Sequence, residues 1–274
     1  MSIMCCIYVP EGIVMAADSR LTRTKPTKSI ELPQKEDQDK KIILLEQTTY
    51  TLTDNAQKVL LIKKNGVGVS FCGNAIINGI TVADYIRNFE IEKVLDTDTT
   101  ENVAYKLAEY YGKTDTHFFV CGYDEDIPYV YDVYGKVVNR SNVSNTATAI
   151  QTVNDSANCD DNENTGTPES TNISEPATEE KTEAIAQEVQ FSAIWAGRKT
   201  AITKIINDKP ILNADWNTLP LKDAIDFAEF LIDTTIKYER FCDDIQACGG
   251  DIDILVITKD DTFWKQHKVY NPKN

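Results

Sequence analysis

The chain has 274 residues, 42% hydrophobic and 26% charged, with 43 acidic against 28 basic side chains and a net charge of -15. This predicts a soluble globular protein with enough apolar material for a sizeable core, and an acidic excess that argues against nucleic acid or an anionic membrane as partner. Only two histidines, His117 and His267, are present, which argues against a histidine-rich metal site or a histidine-based triad, so no metal or cofactor is expected.

In chain order, Met4–Val9 and Gly12–Asp18 read as two short strands joined by a Pro-Glu-Gly turn. Thr22–Lys41 contains two prolines and dense charge, and predicts a long loop or loose hairpin. Strand pieces follow at Thr49–Thr53 and Lys58–Ile62. The latter is joined to Gly66–Cys72 by Lys63-Lys64-Asn65-Gly66, a hairpin turn. Ile76, Ile80, Ala83, Ile86 and Ile91 recur at helical spacing and predict a helix over Ile76–Glu92. A second helix is expected over Thr100–Tyr111, with Thr100 as N-cap and Gly112 as stop. His117–Tyr123 and Pro128–Tyr134 read as strands, as does Phe191–Ala196. Ala201–Ile206 and Leu221–Lys237 read as helices, and Asp251–Thr258 as the final buried strand. Strands and helices come in blocks rather than in βαβ alternation, which predicts an α+β fold of antiparallel sheets covered by helices.

The charge is concentrated. Residues 141–190 hold ten acidic side chains and one basic one, twenty Ser, Thr or Asn, and no aromatic residue. Such a stretch cannot bury enough apolar surface to offset its chain entropy and is expected to be a disordered acidic loop. Asn142-Val-Ser144 and Asn172-Ile-Ser174 match glycosylation acceptors by composition alone. Seven cysteines, an odd number, without a secretory signal at the start predict free thiols and a cytoplasmic location. No apolar run approaches the roughly 18 residues of a membrane span.

With histidine set aside, the chemistry points to the start of the chain. Ser2 follows the initiator methionine, and its small side chain suits methionine removal. A freed Ser2 would carry a nucleophilic hydroxyl beside its own base, an α-amine of pKa about 7.7–8.0. A neighbouring cation would lower that pKa by disfavouring the ammonium form. Cys5 and Cys6 read as small buried hydrophobes. Lys58, taken alone, reads as a solvated strand lysine, and Asp18 with Arg20 as an ion pair at a hairpin end.

The segment Gly12-Ile-Val-Met-Ala-Ala-Asp18-Ser-Arg20 resembles the first hairpin of proteasome β-type subunits and their bacterial relatives, the N-terminal nucleophile (Ntn) hydrolases of the proteasome superfamily. In that family the nucleophile stands sixteen residues before this aspartate, the position of Ser2. Asp54-Asn-Ala-Gln-Lys58-Val-Leu-Leu-Ile62 resembles the strand with the family's catalytic lysine. Ser70-Phe-Cys-Gly73-Asn-Ala75 resembles the segment that supplies the oxyanion hole. Gly249-Gly-Asp-Ile-Asp-Ile-Leu-Val-Ile257 is similar to the family's late strand.

The resemblance implies a single domain over 1–274 with a four-layer αββα sandwich, two antiparallel sheets flanked by helices. Insertions would fall at about 22–53 and 139–190. It implies catalytic roles for Ser2, Asp18, Lys58 and the Gly73 N–H. Leu21, Ala56, Phe71 and Ala75 would line a substrate pocket, and Arg20, Asp244 and Cys248 would give support. The activity implied is peptide-bond hydrolysis through an acyl-enzyme by a homo-oligomeric ring, with peptide or unfolded protein as substrate and room for an unfoldase partner. Two alternatives stand beside it: a non-catalytic scaffold subunit of the same fold, and an amidase acting on a small amide. The sequence departs from the family in having Ser2 for threonine, Ala196 for a serine, and Cys248 for the late serine, which lies one residue further than usual from Asp244.

Overall fold

The first hairpin is built from two runs with no polar interruption. β1 (Ile3–Val9) and β2 (Gly12–Ala17) are buried along their whole length, as strands covered on both faces must be. The structure is a computed structural model and describes residues 2–33, 41–77, 79–112, 114–143, 188–206, 215–242 and 245–268.

After the first hairpin, β3 (Leu21–Pro33) and β4 (Lys41–Thr53) pair antiparallel in a two-stranded sheet of their own. The expected loop or hairpin is therefore a hairpin, with a second strand much longer than the Thr49–Thr53 piece seen in the sequence. β5 (Val59–Ile62) and β6 (Val67–Gly73) form the hairpin expected around Gly66, whose φ of 71° is the left-handed conformation the turn requires.

The helix expected from Ile76 begins later. β7 (Ile76–Ile77) and β8 (Ile80–Thr81) form a small hairpin first, and α1 covers Val82–Lys93. Thr81 decides the boundary, because its side chain accepts the N–H of Asp84 as an N-cap. Ile76 and Ile80 are exposed rather than on the core face. α2 (Thr100–Tyr111) matches its expected span and ends at Gly112, but its cap is Thr99, whose side chain accepts from the Asn102 N–H.

β9 (Thr116–Asp124) and β10 (Ile127–Tyr134) are joined through Glu125 and Asp126, both at positive φ, the signature of a tight primed hairpin turn. Besides β7 and β8, two further strands unforeseen in the sequence appear: β11 (Val137–Arg140), paired with β10, and β14 (Thr262–Gln266). Between them lie β12 (Ser192–Gly197), α3 (Thr200–Ile206), α4 (Leu221–Glu239) and β13 (Asp253–Ile257).

The strands make two five-stranded antiparallel sheets, ordered β12-β1-β2-β13-β14 and β11-β10-β9-β6-β5. Three apolar clusters hold them. One joins β5, β6, β9 and β10 to α1 and α2. One joins β1, β2 and β13 to α3 and α4. The third draws Met4, Met15, Ala17 and Leu255 from the first sheet and Val59, Cys72, Phe119 and Val130 from the second. Alternation along each strand explains this, since successive residues of β1 point to opposite faces: Ile3, Cys5 and Ile7 enter the second cluster, Met4, Cys6 and Tyr8 the third.

All of these elements belong to one unit, Met1–Asn142 with Val189–Asn274. The acidic segment lies outside the described residues over 144–187. Among the described residues no helix is long and apolar enough to cross a membrane.

Candidate active site

Register brings the sequence motifs to one end of both sheets. Ile3 opens β1 opposite Gly197, the last residue of β12, and Met4 lies opposite Ala17, the last of β2. Ala17 also faces Asp253, the first residue of β13. In the second sheet Val59 opens β5, and Gly73 ends β6 opposite Thr116. Ser2, Asp18 and Lys58 each stand one residue outside a strand at this end. The Ser70 hydroxyl donates to Met4 Sδ at 3.4 Å, tying β6 to β1 across the sheets.

Asp18 is the hub. Its Oδ1 accepts the Ile3 N–H at 3.1 Å and the Lys58 ammonium at 2.7 Å. Its Oδ2 accepts the Arg20 N–H at 3.1 Å and the Gly249 N–H at 3.0 Å. Both partners of the Asp18–Lys58 pair are fully buried. Lys58 is therefore not a solvated strand lysine. Its ammonium and the amide one residue after Ser2 share a single carboxylate oxygen.

The segment entering Lys58 is irregular and held at several points. Arg20 grips Asp54 with Nε at 2.6 Å and Nη2 at 2.9 Å. The ion pair expected between Arg20 and Asp18 is thus made with Asp54, while Asp18 takes only the Arg20 backbone. The hydrogen bonds to Arg20 hold the Asp54 carboxyl below its ordinary pKa. Ala56 donates its N–H to the Ser19 carbonyl at 2.9 Å, and its own carbonyl accepts Lys268 Nζ at 2.7 Å. Lys268 also pairs with the buried Asp253 at 2.9 Å and donates to the Ser19 hydroxyl.

Two glycines are dictated by crowding. Gly197 has a φ of 101°, and a Cβ there would overlap the Ser2 carbonyl oxygen. That carbonyl accepts the Arg198 N–H at 2.8 Å. Gly73 has a φ of 106°, and a Cβ would overlap the Asp115 carbonyl. Gly73 is exposed, whereas Ser2 is 3% exposed.

Of the residues assigned to a pocket, Phe71 is buried in the first apolar cluster with its ring against Phe118. Leu21, Ala56 and Ala75 are half-buried. Of the support residues, Asp244 lies outside the described residues. Cys248 is fully buried, and burial pushes its thiol well up, helped by the charges of Asp18 and Glu239. Burial likewise pushes the Cys72 thiol up to about 12, with the Lys58 charge opposing. The six cysteines among the described residues are free, and only Cys242 is exposed.

Glu239, which belongs to none of the sequence motifs, is buried at the end of α4 and accepts the Ala247 and Cys248 N–H groups. A signal was present: Glu239 continues the buried stripe of Leu231, Ile232 and Thr235.

At the level of fold the chain is proteasome-like. The chain is similar to a solved structure of an Anbu Gly-1 mutant from Hyphomicrobium sp. strain MC1, with a TM-score of 0.53 and 12% identity, covering 100% of this chain and 89% of that one. No protein-family model matches the chain, and no curated protein matches it by sequence.

Proposed function

We propose that this chain is an Ntn-type peptidase that uses Ser2, freed by removal of Met1, as nucleophile. The observation that carries the reading is the sharing of Asp18 Oδ1 between Lys58 Nζ and the Ile3 N–H. It supports a buried cation beside the start of the chain. In this reading the α-amine of Ser2 takes the hydroxyl proton as Oγ attacks a peptide carbonyl. The Lys58 charge keeps a larger fraction of that amine neutral, and Asp18 orients Lys58. The tetrahedral oxyanion is met by the Gly73 N–H, whose loss in comparable sites costs about 3–4 kcal/mol. Collapse returns the proton to the leaving amine and leaves an ester on Ser2, which water then hydrolyses.

The domain reading is a single four-layer αββα sandwich over the whole chain, supported by the three apolar clusters. The β3–β4 hairpin and the acidic segment are then insertions. Leu21, Ala56, Phe71 and Ala75 flank the substrate site. Assembly into a homo-oligomeric ring acting on peptide or unfolded protein in the cytoplasm completes the proposal.

The test is covalent labelling by a β-lactone or epoxyketone, followed by peptide mapping. Label on Ser2 that is lost in Ser2→Ala supports the reading, and label that persists in the variant removes Ser2 from the mechanism. A second reading, a scaffold subunit of the same fold, is favoured by the 3% exposure of Ser2. Intact mass separates the two, because retained Met1 blocks the amine.

A further inference from the structure

The end of α4 carries a carboxylate that the hydrolytic reading leaves unused. Glu239 is 7% exposed and lies on a helix face otherwise made of Ala224, Ile225, Ala228, Leu231, Ile232 and Thr235. A buried carboxylate is costly unless paired and hydrogen-bonded, and an apolar residue there would complete the stripe without that cost. Packing of α4 therefore gives no reason for the charge.

Its partners do. Glu239 Oε2 accepts the N–H groups of Ala247 at 2.8 Å and Cys248 at 2.7 Å. Its Oε1 lies 3.0 Å from Arg198 Nε. Both contacts lead to the same corner. The residue after Cys248 is Gly249, whose N–H donates to Asp18 Oδ2 at 3.0 Å. The backbone N–H of Arg198 donates to the Ser2 carbonyl at 2.8 Å. One carboxylate thus grips the loop that feeds Asp18 and the residue that fixes the Ser2 backbone.

We infer that Glu239 is a positioning residue for Ser2, acting through Arg198 on one side and through the Ala247–Gly249 backbone on the other. The inference rests on the hydrolytic reading of Ser2. Two variants divide its two arms. Glu239→Gln keeps a carbonyl acceptor for the two loop N–H groups and loses the ion pair with Arg198. Glu239→Ala loses both.

The measurement is the rate of β-lactone labelling of the full-length protein, resolved into a maximal rate constant and a half-saturating concentration, with final stoichiometry counting the sites. The maximal rate constant is expected to fall about tenfold in Glu239→Gln and about 100-fold in Glu239→Ala, the scale of a misplacement near 1 Å. The half-saturating concentration stays at the parent value, since the residue touches no substrate. A merely structural role would lower the stoichiometry or the melting temperature and leave the rate constant of the labelled sites unchanged, and that result overturns the inference. If Glu239→Ala fails to fold, Glu239→Gln alone decides. A parent protein that does not label at Ser2 overturns the hydrolytic reading and this role with it. A labelled parent with unaltered variants overturns the role of Glu239 alone.

Discussion

Lys58 and Asp18 face each other at 2.7 Å with no exposure on either side chain. In such a place the desolvation cost rivals the attraction, so the pair is weak evidence for stability, yet breaking it is expensive. Lys58→Met leaves Asp18 an uncompensated buried anion, and equilibrium urea unfolding is expected to show a loss of about 3–5 kcal/mol. Adding Asp18→Asn to Lys58→Met removes that anion and should recover much of the stability, but none of the labelling at Ser2. Recovery of labelling in the double variant would remove the pair from the chemistry. The thiols respond to the same physics. Burial raises Cys5, Cys72 and Cys248 far above the ordinary thiol range, and a thiol rather than a thiolate is a poor nucleophile. Iodoacetamide at pH 8 should therefore alkylate Cys242 alone among the six described cysteines, as read by peptide mapping.

At the scale of elements, caps and crowded glycines set where strands and helices stop. The apolar period of Ile76, Ile80, Ala83 and Ile86 suits a helix throughout, and the period alone cannot locate its start. Thr81 locates it by accepting the Asp84 N–H, after Gly79 has turned the chain at a φ of 81°. Thr81→Ala is expected to cost about 1 kcal/mol in denaturant unfolding. Gly197 is a different kind of stop, because a side chain there would collide with the Ser2 carbonyl. The β11 and β14 strands were not legible for another reason. Both are short edge strands with exposed residues along them, so neither carries the apolar run by which Asp253–Ile257 was visible.

Across the whole molecule, the segment that delivers Lys58 is held by contacts distant in sequence. Arg20, in the link between the first hairpin and β3, binds Asp54 and reaches the Gln246 carbonyl at 3.4 Å. Asp54 has a folded pKa below its unfolded one because Arg20 hydrogen-bonds its charged form. A carboxylate shifted in this direction stabilises the fold above the unfolded value of about 3.9 and loses that contribution as pH falls through the folded value. Because Asp54 is 45% exposed, solvent screening keeps the contribution small, at most about 1 kcal/mol. Asp54→Asn should lower the melting temperature at pH 7, and the difference from the parent should vanish in acid, once pH has fallen through the folded value. A difference that persists there would assign the effect to packing rather than charge.

Strands and helices with strong periodicity or unbroken apolar runs were legible in the amino-acid sequence, because those patterns encode burial directly. The sequence also carried, in order, the four motifs on which the family resemblance rests, with Asp18 sixteen residues after Ser2. Convergence came from the fold in three dimensions. Asp18 and Lys58 are forty residues apart, and Asp18 and Gly249 are 231 apart; no local pattern records that one carboxylate accepts from both. The burial of Lys58, the partner of Arg20 and the grip of Glu239 on two distant segments were settled in the same way. Pairing of strands remote in sequence brings charges to one sheet end, and only there does removal from water make each of them find a partner.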